Sequence, residues 1–75
     1  MGKYKLNVGN VVLLNNGDYL LVQKGFWLNL TRCKNSSKSD NDYDCYLRCL
    51  ANRKYDVVKV FEDFTIQKVL WERKI

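Results

Sequence analysis

The stretch VVLLNNGDYLLVQKGFWLNLT, residues 11–31, decides the fold. Two aliphatic runs, at residues 11–14 and 19–23, flank Asn16 and Gly17, a dipeptide that tolerates the positive φ angles of a tight hairpin turn. A second turn at Lys24 and Gly25 leads into residues 26–31, where side chains alternate with the period of two that is typical of a half-buried strand. The alternating sets are Phe26, Leu28 and Leu30 against Trp27, Asn29 and Thr31. The sequence therefore predicts a three-stranded antiparallel meander.

The segments around the meander add strands, a loop and a helix. Residues 4–8 are expected to extend the first strand through a bend at Gly9. Residues 34–44, KNSSKSDNDYD, lack aliphatic side chains, which is typical of a solvated loop insert. From an N-cap at Asp42 or Asp44, the spacing of an apolar stripe predicts a short helix that ends near Asn52; the stripe is Tyr43, Tyr46, Leu47 and Leu50. Two further strands are predicted at residues 56–62 and 66–73.

Five short antiparallel strands in one domain, residues 1–75, hide their edges best by curling into a small barrel. Both SH3-like and OB-like barrels satisfy this order of elements. A helix between strands three and four is the OB arrangement, whereas very short strands and a tight first hairpin favour the SH3-like barrel. We predict a mainly β, α+β fold: a five-stranded SH3-like barrel with an inserted helix.

Composition favours a binding module over an enzyme. The 75 residues include 13 Lys and Arg against 8 Asp and Glu, a net charge of +5, and 47% are hydrophobic. The absence of histidine removes the commonest general base and the commonest metal ligand. There is no Gly-rich phosphate loop and no cysteine with a histidine to activate it. No apolar run reaches the roughly 18 residues of a membrane span, and no targeting signal precedes the first strand, so we expect a cytoplasmic protein.

Three cysteines form a candidate metal site. Cys45 and Cys49 share one face of the predicted helix, and Cys33 ends the third strand where it is able to close over the pair. Three thiolates with a fourth ligand from Asp42, or from Asp40, Asp44 or water, suit one zinc ion. Two alternatives stay open, namely free thiols and a disulfide, because the C-x3-C spacing is not that of familiar zinc knuckles.

Basic and aromatic residues form a candidate binding surface. The cations expected to contact a partner lie on the insert and the predicted helix: Lys34, Lys38, Arg48, Arg53 and Lys54. Ten aromatic residues exceed the needs of one small core, so exposed rings are expected among Trp27, Tyr55, Phe64 and Trp71. Trp27 and Trp71 join the cations as candidate contacts, because aromatic side chains among Lys and Arg suit single-stranded nucleic acid. An ordinary solubilising surface is the alternative.

Four stretches of the chain, NNGDYLLVQKGFWLNL, YDCYL, KYDVVKVFE and VLWER, resemble short proteins encoded by bacteriophages and prophages of Gram-positive bacteria. The resemblance covers residues 11–73, and its motifs define a fold rather than a site. The chain departs from the usual shorter, more acidic linker through the Ser and Lys insert at residues 34–39 and the three cysteines. That departure marks the insert as the specialised part.

The resemblance implies a function in which a small phage protein occupies a host machine, as many anti-CRISPR proteins of this size do. We therefore expect a non-enzymatic inhibitor that binds a host defence nuclease, either the CRISPR effector protein or its guide complex, in the bacterial cytoplasm. Because a basic protein cannot mimic DNA, its contacts are expected on acidic protein surface or on guide RNA. The competing hypothesis is a small basic module of phage regulation or replication that binds single-stranded nucleic acid.

Overall fold

The meander predicted for residues 11–31 is the centre of a single antiparallel sheet. The computed structural model describes residues 4–31 and 37–73. Its six strands are β1 (Val11–Leu14), β2 (Tyr19–Val22), β3 (Phe26–Asn29), β4 (Ser37–Ser39), β5 (Val57–Phe61) and β6 (Val69–Glu72). They lie side by side in the order β4-β3-β2-β1-β5-β6. Two single-turn 3-10 helices, Asp40–Asp42 and Arg53–Tyr55, complete the described elements.

The β1–β2 hairpin is confirmed, and its turn is held by local polar contacts. Gly17 has a φ of +94°, the left-handed region that glycine enters without strain. The Leu14 amide donates to the Asp18 carbonyl at 2.8 Å and closes the turn. The buried Asp18 carboxylate accepts hydrogen bonds from Asn16 Nδ2 at 3.3 Å and Asn29 Nδ2 at 3.2 Å. These bonds tie the first turn to β3, so the meander is fixed as a unit.

Closure into an SH3-like or OB-like barrel is not supported. β5 pairs with the free side of β1, which makes β6 the outermost strand at one end of the sheet and β4 the outermost at the other. Barrel closure requires the first and last strands of the order to pair. Within residues 4–31 and 37–73 these two strands do not pair, so the described sheet is open. β4 itself lies in the segment expected to be a loop, which is a second correction.

The predicted helix between Asp42 or Asp44 and Asn52 is wrong. Tyr43 and Cys49 form an antiparallel bridge, and the intervening residues make a tight loop. In a helix the Arg48 amide would donate to the Asp44 carbonyl; here it donates to the Asp44 carboxylate Oδ1 at 3.0 Å. Leu47 has a φ of +61°, which no right-handed helix allows. A side-chain acceptor therefore replaces the helical backbone acceptor.

The expected extension of β1 towards the N-terminus is also wrong. Residues 4–7 are irregular, and the Asn10 amide donates to the Asn7 carbonyl at 3.0 Å to form a turn. Gly9 occupies this turn with a φ of +99°. The Tyr4 amide then donates to the Cys45 carbonyl at 3.2 Å. The N-terminal segment therefore crosses one face of the sheet towards the loop at residues 43–49.

That face of the sheet is the core. Its buried cluster combines strand residues with Leu47 from the loop: Val12, Leu14, Leu20, Val22, Trp27, Leu47, Val57 and Val60. Trp27 is only 2% exposed, so the expectation that its ring is exposed is wrong. The reason is its register: Trp27 lies opposite Val22 on β2 and shares the core face with it. Tyr55 and Trp71 are half-buried against this cluster, and Phe64 is exposed as predicted.

Candidate binding groove and loop surface

A single carboxylate organises the loop at residues 43–49. Asp44 Oδ1 accepts hydrogen bonds from the backbone amides of Tyr46 at 2.9 Å and Arg48 at 3.0 Å. The Asp44 amide in turn donates to the Arg48 carbonyl at 3.1 Å. The amides of Arg48 and Tyr46 stabilise the charged carboxylate and lower the pKa of Asp44. The loop is thus closed by its own first acidic residue.

Arg73, at the end of β6, anchors this loop to the sheet. Its Nη2 donates to the carbonyls of Tyr46 at 2.9 Å and Leu47 at 3.2 Å, and its Nε donates to the Val57 carbonyl at 2.9 Å. The guanidinium lies over the Trp71 ring, 5.2 Å from its centroid. Burial lowers the pKa of Arg73, and a guanidinium remains charged across the physiological range. Sequence reasoning missed this residue, because no local pattern marks its distant carbonyl partners.

Two further bonds fix the loop from β5 and the residue before it. The Val57 amide donates to the Leu47 carbonyl at 3.0 Å. Asp56 Oδ1 accepts from the Cys49 amide at 2.7 Å. With Leu47 inserted in the core, both ends and the middle of the loop are held. The side chains between these anchors therefore project from a fixed backbone.

An open groove lies between the loop, the N-terminal segment and the β2–β3 turn. Its volume is about 720 Å³. Most of its lining side chains are apolar or aromatic: Tyr4, Leu6, Val8, Val22, Trp27, Tyr43 and Leu47. The Tyr43 ring packs on Trp27 with centroids 4.2 Å apart, and its hydroxyl donates to the Tyr55 carbonyl at 2.7 Å. Burial, reinforced by the neighbouring Cys49 thiol, raises the pKa of Tyr43. Tyr43 is therefore neutral at physiological pH.

The rim of the groove is positively charged. Lys5 and Lys24 line it and are exposed, and neither forms an ion pair with any residue that the structure describes. The third charged lining residue, Asp44, already accepts two backbone hydrogen bonds. Apolar floor and cationic rim together suit a ligand segment that combines an apolar side chain with carboxylates.

The outer side of the loop and the residues that follow it form what we call the loop surface. We define it by the exposed apolar, aromatic and cationic side chains of Tyr46, Arg48, Leu50, Arg53 and Lys54. Tyr46 is 39% exposed and Leu50 is 68% exposed. The Lys54 ammonium lies 5.0 Å from the centroid of the Tyr55 ring. Three of the predicted contact cations, Arg48, Arg53 and Lys54, therefore lie on one short described segment.

The other predicted contact residues are placed differently. Lys34 lies outside the described residues. Lys38 is in β4 opposite Trp27 in the register. Trp27 lies under the groove, and Trp71 is covered by the Arg73 guanidinium. The buried Trp27 ring is not available for stacking on a nucleobase, whereas Trp71 is half-buried.

The helix that was expected to align two ligands of the predicted zinc site is not formed. Cys45 is exposed on the loop and Cys49 is buried beside Tyr43, so the shared helical face that was to align them does not exist. Asp42 is exposed, and Cys33 lies outside the described residues. Across residues 4–31 and 37–73 no three metal-ligating side chains are grouped. A zinc ion held with the help of Cys33 stays a prediction.

Comparisons of the chain with protein-family models, with curated proteins and with solved structures found no match. Over the described ranges we find no helix with the length and apolar character that membrane crossing demands.

Proposed function

We propose that the chain is a non-enzymatic binding protein that docks its loop surface and groove on an acidic region of a partner protein. The observation that supports this most is the fixed loop backbone beneath exposed apolar and cationic side chains. Asp44, Asp56 and Arg73 hold that backbone, while Tyr46 and Leu50 stay accessible to solvent. A loop that is ordered before binding loses little conformational entropy on association.

Charge favours an acidic partner. Arg48, Arg53 and Lys54 are exposed on the loop surface, and Lys5 and Lys24 flank the groove. The carboxylates of Asp44 and Asp56 accept hydrogen bonds from backbone amides, and the exposed Asp42 lies next to Leu50, whose amide donates to the Asp42 carbonyl at 2.8 Å. The exposed cations of the loop surface and the groove rim favour an acidic partner surface.

We base the partner class on the expected relationship of the chain to phage and prophage proteins. We propose a bacterial defence nuclease, either the CRISPR effector protein or its guide complex, inhibited in the bacterial cytoplasm by occupation of an acidic surface. An inhibitor that acts by occupying a surface of the nuclease needs only a binding surface with a fixed shape. The loop surface, with its held backbone and exposed side chains, is consistent with this requirement.

The test is binding to a purified effector, measured by biolayer interferometry together with target cleavage. The double variant Arg48→Glu with Arg53→Glu is expected to weaken binding at least tenfold, because it places carboxylates against an acidic partner. The double variant Lys59→Glu with Lys68→Glu changes net charge equally, away from the loop surface, and is expected to stay within about threefold of the wild-type protein. Unimpaired cleavage by every effector tested, at saturating protein, contradicts the proposal.

A second candidate function is binding to single-stranded nucleic acid. The net charge of +5 and the cations of the loop surface favour it. The covered rings of Trp27 and Trp71 make it the weaker candidate. Gel shifts with single-stranded DNA and RNA at low salt distinguish the two, since nucleic-acid affinity falls steeply as salt is added.

A further inference from the structure

The groove between the loop, the N-terminal segment and the β2–β3 turn has three walls of fixed backbone. The Tyr4 amide donates to the Cys45 carbonyl at 3.2 Å and ties the N-terminal segment to the loop. The Gly9 amide donates to the Val22 carbonyl at 3.0 Å and ties the other end of that segment to β2. The Gln23 amide closes the β2–β3 turn with a hydrogen bond of 2.8 Å. Its volume of about 720 Å³ is that of a ligand site, and the walls are formed before a ligand arrives.

The surface that a ligand meets inside the groove is mostly apolar. Among its lining side chains Val22, Trp27 and Leu47 are buried, whereas Tyr4, Leu6, Val8 and Tyr43 are partly or fully accessible. Val8 is 65% exposed. The Tyr4 ring packs on Trp71, with centroids 6.2 Å apart. The Tyr43 ring packs on Trp27, with centroids 4.2 Å apart. An aromatic or large aliphatic side chain that enters the groove therefore contacts rings that are already held in place.

The charges at the rim favour carboxylates on the ligand. Lys5 belongs to the N-terminal segment and Lys24 to the β2–β3 turn, so the two exposed cations come from different walls. Asp44 is the acidic residue among the lining residues, and its Oδ1 accepts from two backbone amides. Two lysines against one aspartate leave the lining with a charge of +1. A ligand with carboxylates on both sides of its apolar side chain complements this arrangement.

The N-terminal wall favours a peptide over a compact small molecule. Within residues 4–31 and 37–73, the backbone groups of Lys5, Leu6 and Val8 have no hydrogen-bond partner. The amides of Asn7 and Gly9, on the same segment, do have partners. Unpaired main-chain donors and acceptors along one wall are suited to the main chain of an extended ligand. Such a ligand also carries side chains at the spacing that separates an apolar centre from flanking carboxylates.

We propose that the groove recognises an extended acidic segment of the partner. One aromatic or large aliphatic side chain of the segment occupies the groove, and the carboxylates on either side of it meet Lys5 and Lys24. The inference rests on the proposed function and specifies which part of the partner the groove takes. Because the walls are fixed in the free chain, the groove binds such a segment without the remainder of the partner.

Fluorescence polarisation of the full chain with a labelled peptide tests the proposal. The probe is the capped peptide Gly-Asp-Glu-Phe-Glu-Asp-Gly. A short segment buries less surface than a standard interface, so a Kd on the order of 100 µM is expected at low salt. Replacing the peptide's phenylalanine by alanine is expected to weaken binding at least fivefold. Replacing its acids by their amides, or raising NaCl to about 0.5 M, is expected to weaken it by a similar factor.

Two variants of the chain locate the peptide in the groove. The double variant Lys5→Glu with Lys24→Glu is expected to weaken peptide binding at least tenfold. Val8→Ser removes apolar surface from the wall without changing charge and is expected to weaken it about threefold. The matched control is Lys59→Glu with Lys68→Glu, which changes net charge equally outside the groove lining and is expected to stay within about threefold of the wild-type chain. Thermal unfolding of each variant checks that it is folded.

The failure of this inference is distinguishable from failure of the proposed function. No binding of the peptide to the wild-type chain, or equal binding by the groove and control variants, overturns the inference. Effector binding that is lost in the Arg48→Glu with Arg53→Glu variant would then still support the proposed function. Peptide binding that only the groove variants weaken supports the inference, even where no effector is bound.

Two other occupants are outcomes of the same experiment. Equal affinity for 3-phenylpropionate and for the peptide would show a site for small carboxylates and overturns the inference. The β5–β6 turn of a second copy is the other occupant, since Phe64 there is 72% exposed and follows Glu62 and Asp63. Self-association of the chain that Phe64→Ala abolishes would show that occupant and overturns the inference as well.

Discussion

Replacing Arg73 by alanine tests whether the loop surface is held by one side chain. Arg73 connects the end of β6 to the carbonyls of Tyr46, Leu47 and Val57 and covers the Trp71 ring. After Arg73→Ala, the Tyr46 carbonyl is free to accept from water, because that hydrogen bond is exposed. The bonds to Leu47 and Val57 are partly buried, so their loss is not fully compensated by solvent.

The expected destabilisation follows from these contacts. Two partly buried hydrogen bonds contribute about 1 kcal/mol each to stability. A half-exposed cation over an indole ring contributes about 0.5 kcal/mol. The total, about 2.5 kcal/mol, is a large fraction of the roughly 4 to 11 kcal/mol expected for a domain of this length. For a domain of this size it corresponds to a fall in Tm of about 10 to 20 °C.

Urea denaturation followed by tryptophan fluorescence measures the change in the free energy of unfolding, and amide exchange locates it. Faster exchange is expected first at the Val57 and Cys49 amides, which are bonded within the anchored loop. Arg53→Ala removes the same charge from an exposed position and is expected to change stability by less than about 0.5 kcal/mol. Equal stabilities of the Arg73→Ala and Arg53→Ala variants refute the anchoring role of Arg73.

Three further predictions concern the loop, its aromatic support and the first hairpin. Because the pKa of Asp44 is lowered in the folded chain, its carboxylate stabilises the loop fully above about pH 4, and this stabilisation is lost as the pH falls through the lowered pKa. Hydrogen exchange of the Arg48 amide is therefore expected to accelerate on acidification. The Asp44→Asn variant is expected to abolish this pH dependence. Tyr43→Phe keeps the ring on Trp27 but removes the bond to the Tyr55 carbonyl, and thermal unfolding is expected to show a loss of about 1 kcal/mol. Gly17→Ala forces a left-handed φ on a residue with a Cβ, and denaturant titration is expected to show a loss of about 1 kcal/mol.

The parts of the fold that were predicted correctly depend on short-range signals. Asn16 and Gly17 between aliphatic runs specify a hairpin whatever the remainder of the chain does. The alternation at residues 26–31 likewise predicts a strand, but it does not predict which of the two alternating sets of side chains is buried. That choice depends on Trp27 lying opposite Val22, a tertiary register that the alternation leaves open.

The predicted helix is wrong for a local reason that the spacing of the apolar residues does not reveal. The stripe of Tyr43, Tyr46, Leu47 and Leu50 satisfies helical periodicity, yet only Leu47 is buried in the core, Tyr43 packs against it, and Tyr46 and Leu50 are exposed. As a candidate N-cap, Asp44 is expected to accept hydrogen bonds from backbone amides. Its carboxylate does so, but the two amides belong to Tyr46 and Arg48 and the bonds close a loop. Arg73 could not have been predicted from spacing, because its carbonyl acceptors on Tyr46 and Leu47 are 27 and 26 residues away.

Chain length explains why two surfaces remain available for binding. A chain of this length buries only about 60% of the surface of its unfolded state, and here the loop and the N-terminal segment suffice to cover one face of the sheet. The loop that covers the core turns its cations outward, and the groove stays open between this loop and the N-terminal segment.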